Sequence, residues 1–432
     1  MRSSLPIRAS LGAAALVVAA AACSTTSSGT NSGAASKPSS GTSSSGTASP
    51  GMASGMAPSS SPASAQLTST PAAQLYAGLD QLLTEHVDLT ANVVQTAITK
   101  GASSENTKAA LAALDQNTQG LGAAIGSVYG TAAQQQFLKL WRAHIGFFVN
   151  YTLGEATKNT AMVNTAKTDL AGYITQFSAF VSGATKLPAS AVAADLQGHV
   201  STLETAISAI VAKSPAAGKD LEMAAMHMSG TAQVLAQGIV SSKSISGNVT
   251  APPSSLRAAL TGLLIQHVAA TGFVVQTAVA AGGNLKAPEV TGAIGALTDN
   301  TNALGAAIGS VYGTAAQQQF LKLWRAHIGF FVNYTLGEAT KNTAMVNTAK
   351  TDLAGYTTQF STFVSGATKL PATAVAADLQ GHVSTLETAI NAIVSGSPAE
   401  GADLLMAENH MAGTGAVLAQ GIVSSMPSKF AS

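Results

Sequence analysis

The chain has 432 residues, yet only 9% of them are charged, and the formal net charge is +1. That balance excludes the basic surface a nucleic-acid binder needs and gives no attraction to an anionic membrane surface. Cys23 is the single cysteine, so no disulfide can form within the chain.

The first element in chain order reads as an export signal, residues 1–22. Arg2 and Arg8 form a positive start, Leu11 to Ala22 is an uncharged apolar run, and Ala19-Ala20-Ala21-Ala22 supplies a small-residue ending. The run is short for a bilayer-crossing helix, so it is expected to be removed. Its ending, Ala-Ala-Ala-Cys, resembles the lipobox of bacterial lipoproteins, with Ala20 standing where Leu is commonest. The resemblance implies a lipid on Cys23 and an anchor in the cell membrane, with the protein facing the extracytoplasmic side. Loss of residues 1–22 removes two positive charges and no negative one, taking the net charge from +1 to −1.

Residues 23–72 follow, nearly all Ser, Thr, Gly, Ala and Pro after Cys23, with Lys37 the lone charge. Such a segment buries too little apolar surface to offset its ordering entropy and is expected to be a disordered tether, Met52 and Met56 being filler within it. Beyond the signal no apolar run of 18 residues is free of polar residues, so no further membrane crossing is expected.

The remainder is a tandem duplication. Residues 121–204 and 304–387 differ only at Ile174/Thr357, Ala179/Thr362 and Ser190/Thr373. The flanks have drifted further. His86 matches His267 at an offset of 181, whereas His144 matches His327 at 183, which places a two-residue change near Gly101 and Gly282-Gly283. The expected organisation is domain 1 over 73–242, a linker over 243–254 and domain 2 over 255–432.

Each unit reads as six helices, an all-α fold without strand signals. Leu75, Leu79, Leu82, Val93 and Ala97 recur at three-and-four spacing, as do Phe137, Trp141, Phe148 and Tyr151, and Leu196, Val200, Leu203 and Ile207. Gly130 suits a helix end, and Thr131-Ala-Ala-Gln134 offers a capping box for the next helix. The aromatic set Phe137, Trp141, Phe147, Phe148 and Tyr151 reads as core. Three helices carry a His followed by a β-branched residue, His86-Val87, His144-Ile145 and His199-Val200, at intervals of 58 and 55 residues. That spacing predicts three stacked αα-hairpins per domain, whose first helices run parallel with a His near each midpoint.

The eight histidines are the one constellation able to carry chemistry. Three parallel helices could bring His86, His144 and His199 together as metal ligands, with His227, Met223 or Met228 assisting; Met226 lies alongside. The second copy offers His267, His327, His382 and His410, with Met406 and Met411, and Asn409 in place of Met226. Imidazole suits Zn, Cu, Ni and Fe; added thioether favours copper, and a His/Met pair could hold haem. The competing reading is that each His is a core residue bonded to a carbonyl, an amide or water. In the drifted flanks Glu85 becomes Gln266 and Asp88 becomes Ala269, which argues against a carboxylate partner for the first His.

Other chemistries find no signature. There is no Glu-x-x-His for a di-iron site, no His-Glu-x-x-His, no phosphate loop and no Gly-x-Ser-x-Gly. The segments Leu-x-x-x-His-Val, Trp-x-x-His-Ile-Gly-Phe-Phe-Val-x-Tyr and the closing His-Met…Leu-Ala-x-x-Ile-Val resemble a helical region of secreted Gram-positive proteins, some labelled copper-amine-oxidase-like. That resemblance implies no established activity, and no oxidase chemistry is carried over from it. The sequence is therefore read as a non-enzymatic envelope lipoprotein whose paired helical domains bind or scaffold an envelope partner. The alternative is copper or haem binding through the histidines.

Overall fold

The computed structural model describes residues 67–431, so the expected signal, Cys23 and most of the expected tether lie outside the described residues. Order begins slightly earlier than the tether reading held. Thr68 is buried and its carbonyl accepts a bond from Arg257 Nη1 at 2.8 Å, while Thr70 caps the first helix by accepting from the Ala73 N–H at 3.2 Å.

Among the described residues the fold is all-α. The first repeat comprises α1 (Pro71–Lys100), α2 (Glu105–Tyr129), α3 (Thr131–Thr157), α4 (Thr160–Thr185), α5 (Ala189–Val211) and α6 (Ala217–Lys243). The second comprises α7 (Pro252–Ala280), α8 (Pro288–Tyr312), α9 (Thr314–Ala339), α10 (Thr343–Thr368), α11 (Ala372–Ser395) and α12 (Glu400–Ser425), followed by the single turn α13 (Pro427–Phe430). Helix ends are set by local chemistry. Ser104 accepts from the Thr107 N–H and Asn159 from the Met162 N–H, each satisfying a donor of the first turn. The expected capping box at Thr131 does not form. Gly130, at φ +86°, is both the end of α2 and the cap residue of α3, which puts Thr131 one position inside the helix, too late to cap it.

In each repeat every helix packs on its chain neighbours, and the sixth closes on the first, making a ring of six. The alternate helices α1, α3 and α5 meet inside the first ring, and α7, α9 and α11 inside the second. This is the arrangement the 58- and 55-residue intervals imply. Phe137, Trp141, Phe148 and Tyr151 are buried in the first core, and Phe320, Trp324, Phe331 and Tyr334 in the second.

The two rings pack on one another along α1 and α7, with α6 against α8 and α12 against α2. Those pairings exchange under the repeat relation, so the contact has approximate two-fold symmetry. Polar bonds cross it from Gln81 to Asn409 at 2.9 Å and from Asn106 to the Gly396 carbonyl at 2.9 Å. The connection between rings is short, residues 244–251, and the Ala72 N–H donates to its Ser246 carbonyl at 3.0 Å. Helix α7 is long and apolar enough to cross a membrane, with a mean hydropathy of 1.6 over its best window; 72% of that window is buried within the fold. A helix covered by its own ring on one side and by the other repeat on the opposite side needs apolar residues all round.

Helix α8 provides a test of this contact. A Cβ on Gly292 would run into the Pro215 carbonyl of the first repeat, whereas one on Gly295 meets open space. Gly292→Ala is expected to cost about 1–3 kcal/mol by overpacking. Gly295→Ala should instead stabilise by roughly 0.5–1 kcal/mol through helix propensity. Urea midpoints of the two variants should therefore move in opposite directions; equal shifts would show that the ring–ring contact carries no stability.

Candidate metal centres

Inside the first ring, His86 from α1, His144 from α3 and His199 from α5 project to one point. One ring nitrogen from each lies within 4.8 Å of the others, and all three side chains are buried. The second ring repeats this with His267, His327 and His382. His86 Nε2 and His144 Nε2 are 3.3 Å apart, as are those of His327 and His267. An ion about 2.0–2.1 Å from two nitrogens so spaced would see them at roughly the tetrahedral angle. The same 3.3 Å also suits one imidazole N–H donating to the other. His199 and His382 have no such option, for neither nitrogen of either ring has a partner. Nor do the Nδ1 atoms of His86 and His267.

Aromatic rings wall the triad. Trp141 lies 4.8 Å from His86 and 4.6 Å from His144 between centroids; Tyr173 stacks on His144 at 4.7 Å, and Phe148 meets it edge-on. Such walls fix the imidazole planes. Burial holds His86 well below its ordinary pKa, with the neighbouring His199 adding to the effect. His144 is depressed by burial and then by His86 and His199, the Trp141 carbonyl working the other way. Burial and then His227 bring His199 down to about 3, and burial alone does the same to His267. His327 and His382 are likewise well below the usual value, first through burial. All six imidazoles are thus neutral near pH 7, the protonation state in which a histidine is a ligand.

The remaining sequence candidates are placed differently. His227 Nε2–H donates to the Asp195 carbonyl at 2.9 Å and lies 3.8 Å from that residue's carboxylate; His410 does the same with Asp378. Neither belongs to a triad. Met223, Met226 and Met406 are exposed, because they lie on the outer face of their helices. Met228 and Met411 are buried, and Met228 borders with His199 a cavity of about 60 Å³.

A second set of groups was not singled out from the sequence. Glu85 and Asp88 of α1 and Glu408 of α12 come together where the rings meet. Burial pushes Glu85 up to about 7, against bonds from Gln81 and Asn117. Glu408 is raised well above the carboxylate range by burial, then by Asp88 and Glu85. Asp88 is raised by burial and then Glu85, and Asp80 reaches about 6 through burial. The repeat-related positions hold Gln266, Ala269 and Ala225, so the carboxylates occupy one side of the two-fold only. The loss of Glu85 and Asp88 from the second copy therefore belongs to the ring–ring contact. The signal was present in the drift itself: substitutions concentrated on α1 and α7, the first part of α2 and α8, and α6 and α12 mark the surface where the copies differ in environment.

No family model, curated protein or solved structure matches the chain, so the triads are interpreted from their own chemistry.

Proposed function

We propose that this protein is an exported, lipid-anchored metal-binding protein that holds one ion in each ring, with Cu(I) the preferred occupant. The observation that carries this reading is the buried triad with unpaired nitrogens, above all His199 and His382. A buried nitrogen left without a partner costs about 1–3 kcal/mol, and a ligated one does not. Three neutral imidazoles supply no negative charge, and burying a divalent ion against them alone is costly. A monovalent ion with a taste for imidazole and thioether meets less opposition, and Met228 borders a cavity in common with His199. The tight aromatic walls favour a bare ion over haem. Cys23, in its lipobox-like setting, would anchor the rings outside the membrane.

The test is elemental analysis of the purified protein, followed by Cu(I), Cu(II) and Zn titration against a chromophoric chelator. The expected result is two ions per chain, Cu(I) held most tightly. Binding no tighter than that of an unrelated helical protein would return the histidines to the core and leave a partner-binding envelope lipoprotein as the reading to pursue.

A further inference from the structure

The second ring contains a cavity of about 500 Å³ that begins beneath the 281–287 connection and ends against His267. Its size falls in the range of about 300–1,000 Å³ typical of small-molecule pockets. The walls are apolar, from Val275, Ala278, Leu285, Phe331 and Val332 among others, and no charged side chain lines it. Three threonines also border it, but each hydroxyl is already engaged. Thr271 donates to the His267 carbonyl, Thr335 to that of Phe331 and Thr340 to that of Leu336. The one polar group left is His267, buried, with Nδ1 unpartnered.

The first ring treats the corresponding side chains differently. There Val93 and Leu114 pack with Leu89 into a buried apolar cluster, and Ile145 closes on it. Their counterparts Val274, Leu297 and Ile328 line the open cavity, and Leu89 is replaced by Ala270. The connection after α7 is also longer than residues 101–104, and its Gly282 (φ +66°) and Gly283 (φ +82°) adopt left-handed backbone that favours glycine. Both glycines line the cavity and are exposed, so the longer connection of the second copy forms its mouth.

We infer that the second ring binds one small, neutral, largely apolar molecule in this cavity, with a hydrogen-bond acceptor turned toward His267. The site stands on its walls and its mouth, and it does not require a metal on the triad. If an ion is present, the molecule lies beside it, reached through the glycine mouth.

The experiment is a titration of the full chain with the neutral fluorophore N-phenyl-1-naphthylamine, once with chelator and once after copper loading. The expected result is saturable binding of one probe per chain under both conditions. Ala278→Trp, which fills the cavity, should weaken it at least ten-fold, and Ala97→Trp at the matching place in the first ring should leave it unchanged. Should Ala278→Trp lose helix content, Leu285→Trp at the mouth serves the same purpose. Absence of saturable binding overturns the inference, as do two equal sites per chain or equal sensitivity to Ala97→Trp. Because the chelator arm contains no metal, failure of the triads to bind copper would leave this result readable.

Discussion

Replacing His199 and His382 together by leucine is expected to abolish metal binding while leaving the metal-free protein as stable as before, or more so. Loss of an outer-shell partner of a metal ligand typically costs about 10–100-fold in affinity, and loss of a ligand itself should exceed that. In the metal-free chain both nitrogens of each ring are buried without partners. Exchange for an apolar side chain of similar bulk removes that penalty. The opposite signs make the test sharp. If the histidines were structural, the double variant would unfold at lower urea with or without metal, and the proposal would fall. His144→Ala with His327→Ala removes metal as well, but it empties a site stacked against Tyr173 and Tyr356 and should lose about 2–4 kcal/mol besides.

The second large effect is on stability against pH. Six imidazoles are held neutral well below the pKa they have in the unfolded chain. Their contribution is complete above about pH 6.5 and is lost as the pH falls below it, since the unfolded chain takes up protons that the folded one refuses. The buried carboxylates act in the reverse sense. Asp80, Glu85, Asp88 and Glu408 are raised, so their contribution is complete below about pH 4 and is lost as the pH climbs toward 6–7 and beyond. Between pH 4.5 and 6 the six imidazoles outnumber the four most strongly raised carboxylates, so stability should fall on acidification, by at most roughly 3 kcal/mol per pH unit because Asp378 and Glu400 are raised too. Above pH 7 only the carboxylates still titrate, and stability should decline again. Metal-free protein unfolded in urea from pH 4 to 9 should give a maximum between pH 6 and 7. Glu85→Gln should lift the alkaline side, by roughly 3 kcal/mol at pH 8 if the full shift to about 7 is relieved. A profile flat from pH 5 to 8 would contradict the neutral-histidine reading on which the metal proposal rests.

Much of the fold was legible because the signals are local and periodic. Apolar spacing marked six helices per repeat, and the regular return of His86, His144 and His199 marked the helices that meet inside each ring. The sequence also singled out all six triad residues, yet it grouped His227 and Met223 with them, since helical spacing alone cannot say which face turns inward. His227 is drawn off by the Asp195 carbonyl, a contact between different helices that no local pattern announces. The Thr131 capping box failed over a one-residue shift in where α3 starts. Contacts between the rings were the least visible part. Glu85 and Glu408 lie more than 300 residues apart in sequence, and buried carboxylates read as ordinary surface charge until the opposing ring is in place. The uniform apolarity of α7 has the same origin: a helix enclosed from two directions loses the polar stripe by which a surface helix is recognised.

The two-fold contact has a further consequence. Two separate chains meeting across this surface would come apart on dilution, and any residue brought into it would appear twice. Eight connecting residues, 244–251, make the pairing independent of protein concentration and release the halves from identity. Glu85, Asp88 and Glu408 could then accumulate on one side while Gln266, Ala269 and Ala225 kept the other nearly apolar. In a homodimer the same changes would have buried six acids instead of three. Covalent linkage thus leaves each half free to differ, and the open cavity beside His267 is a second place where the halves differ.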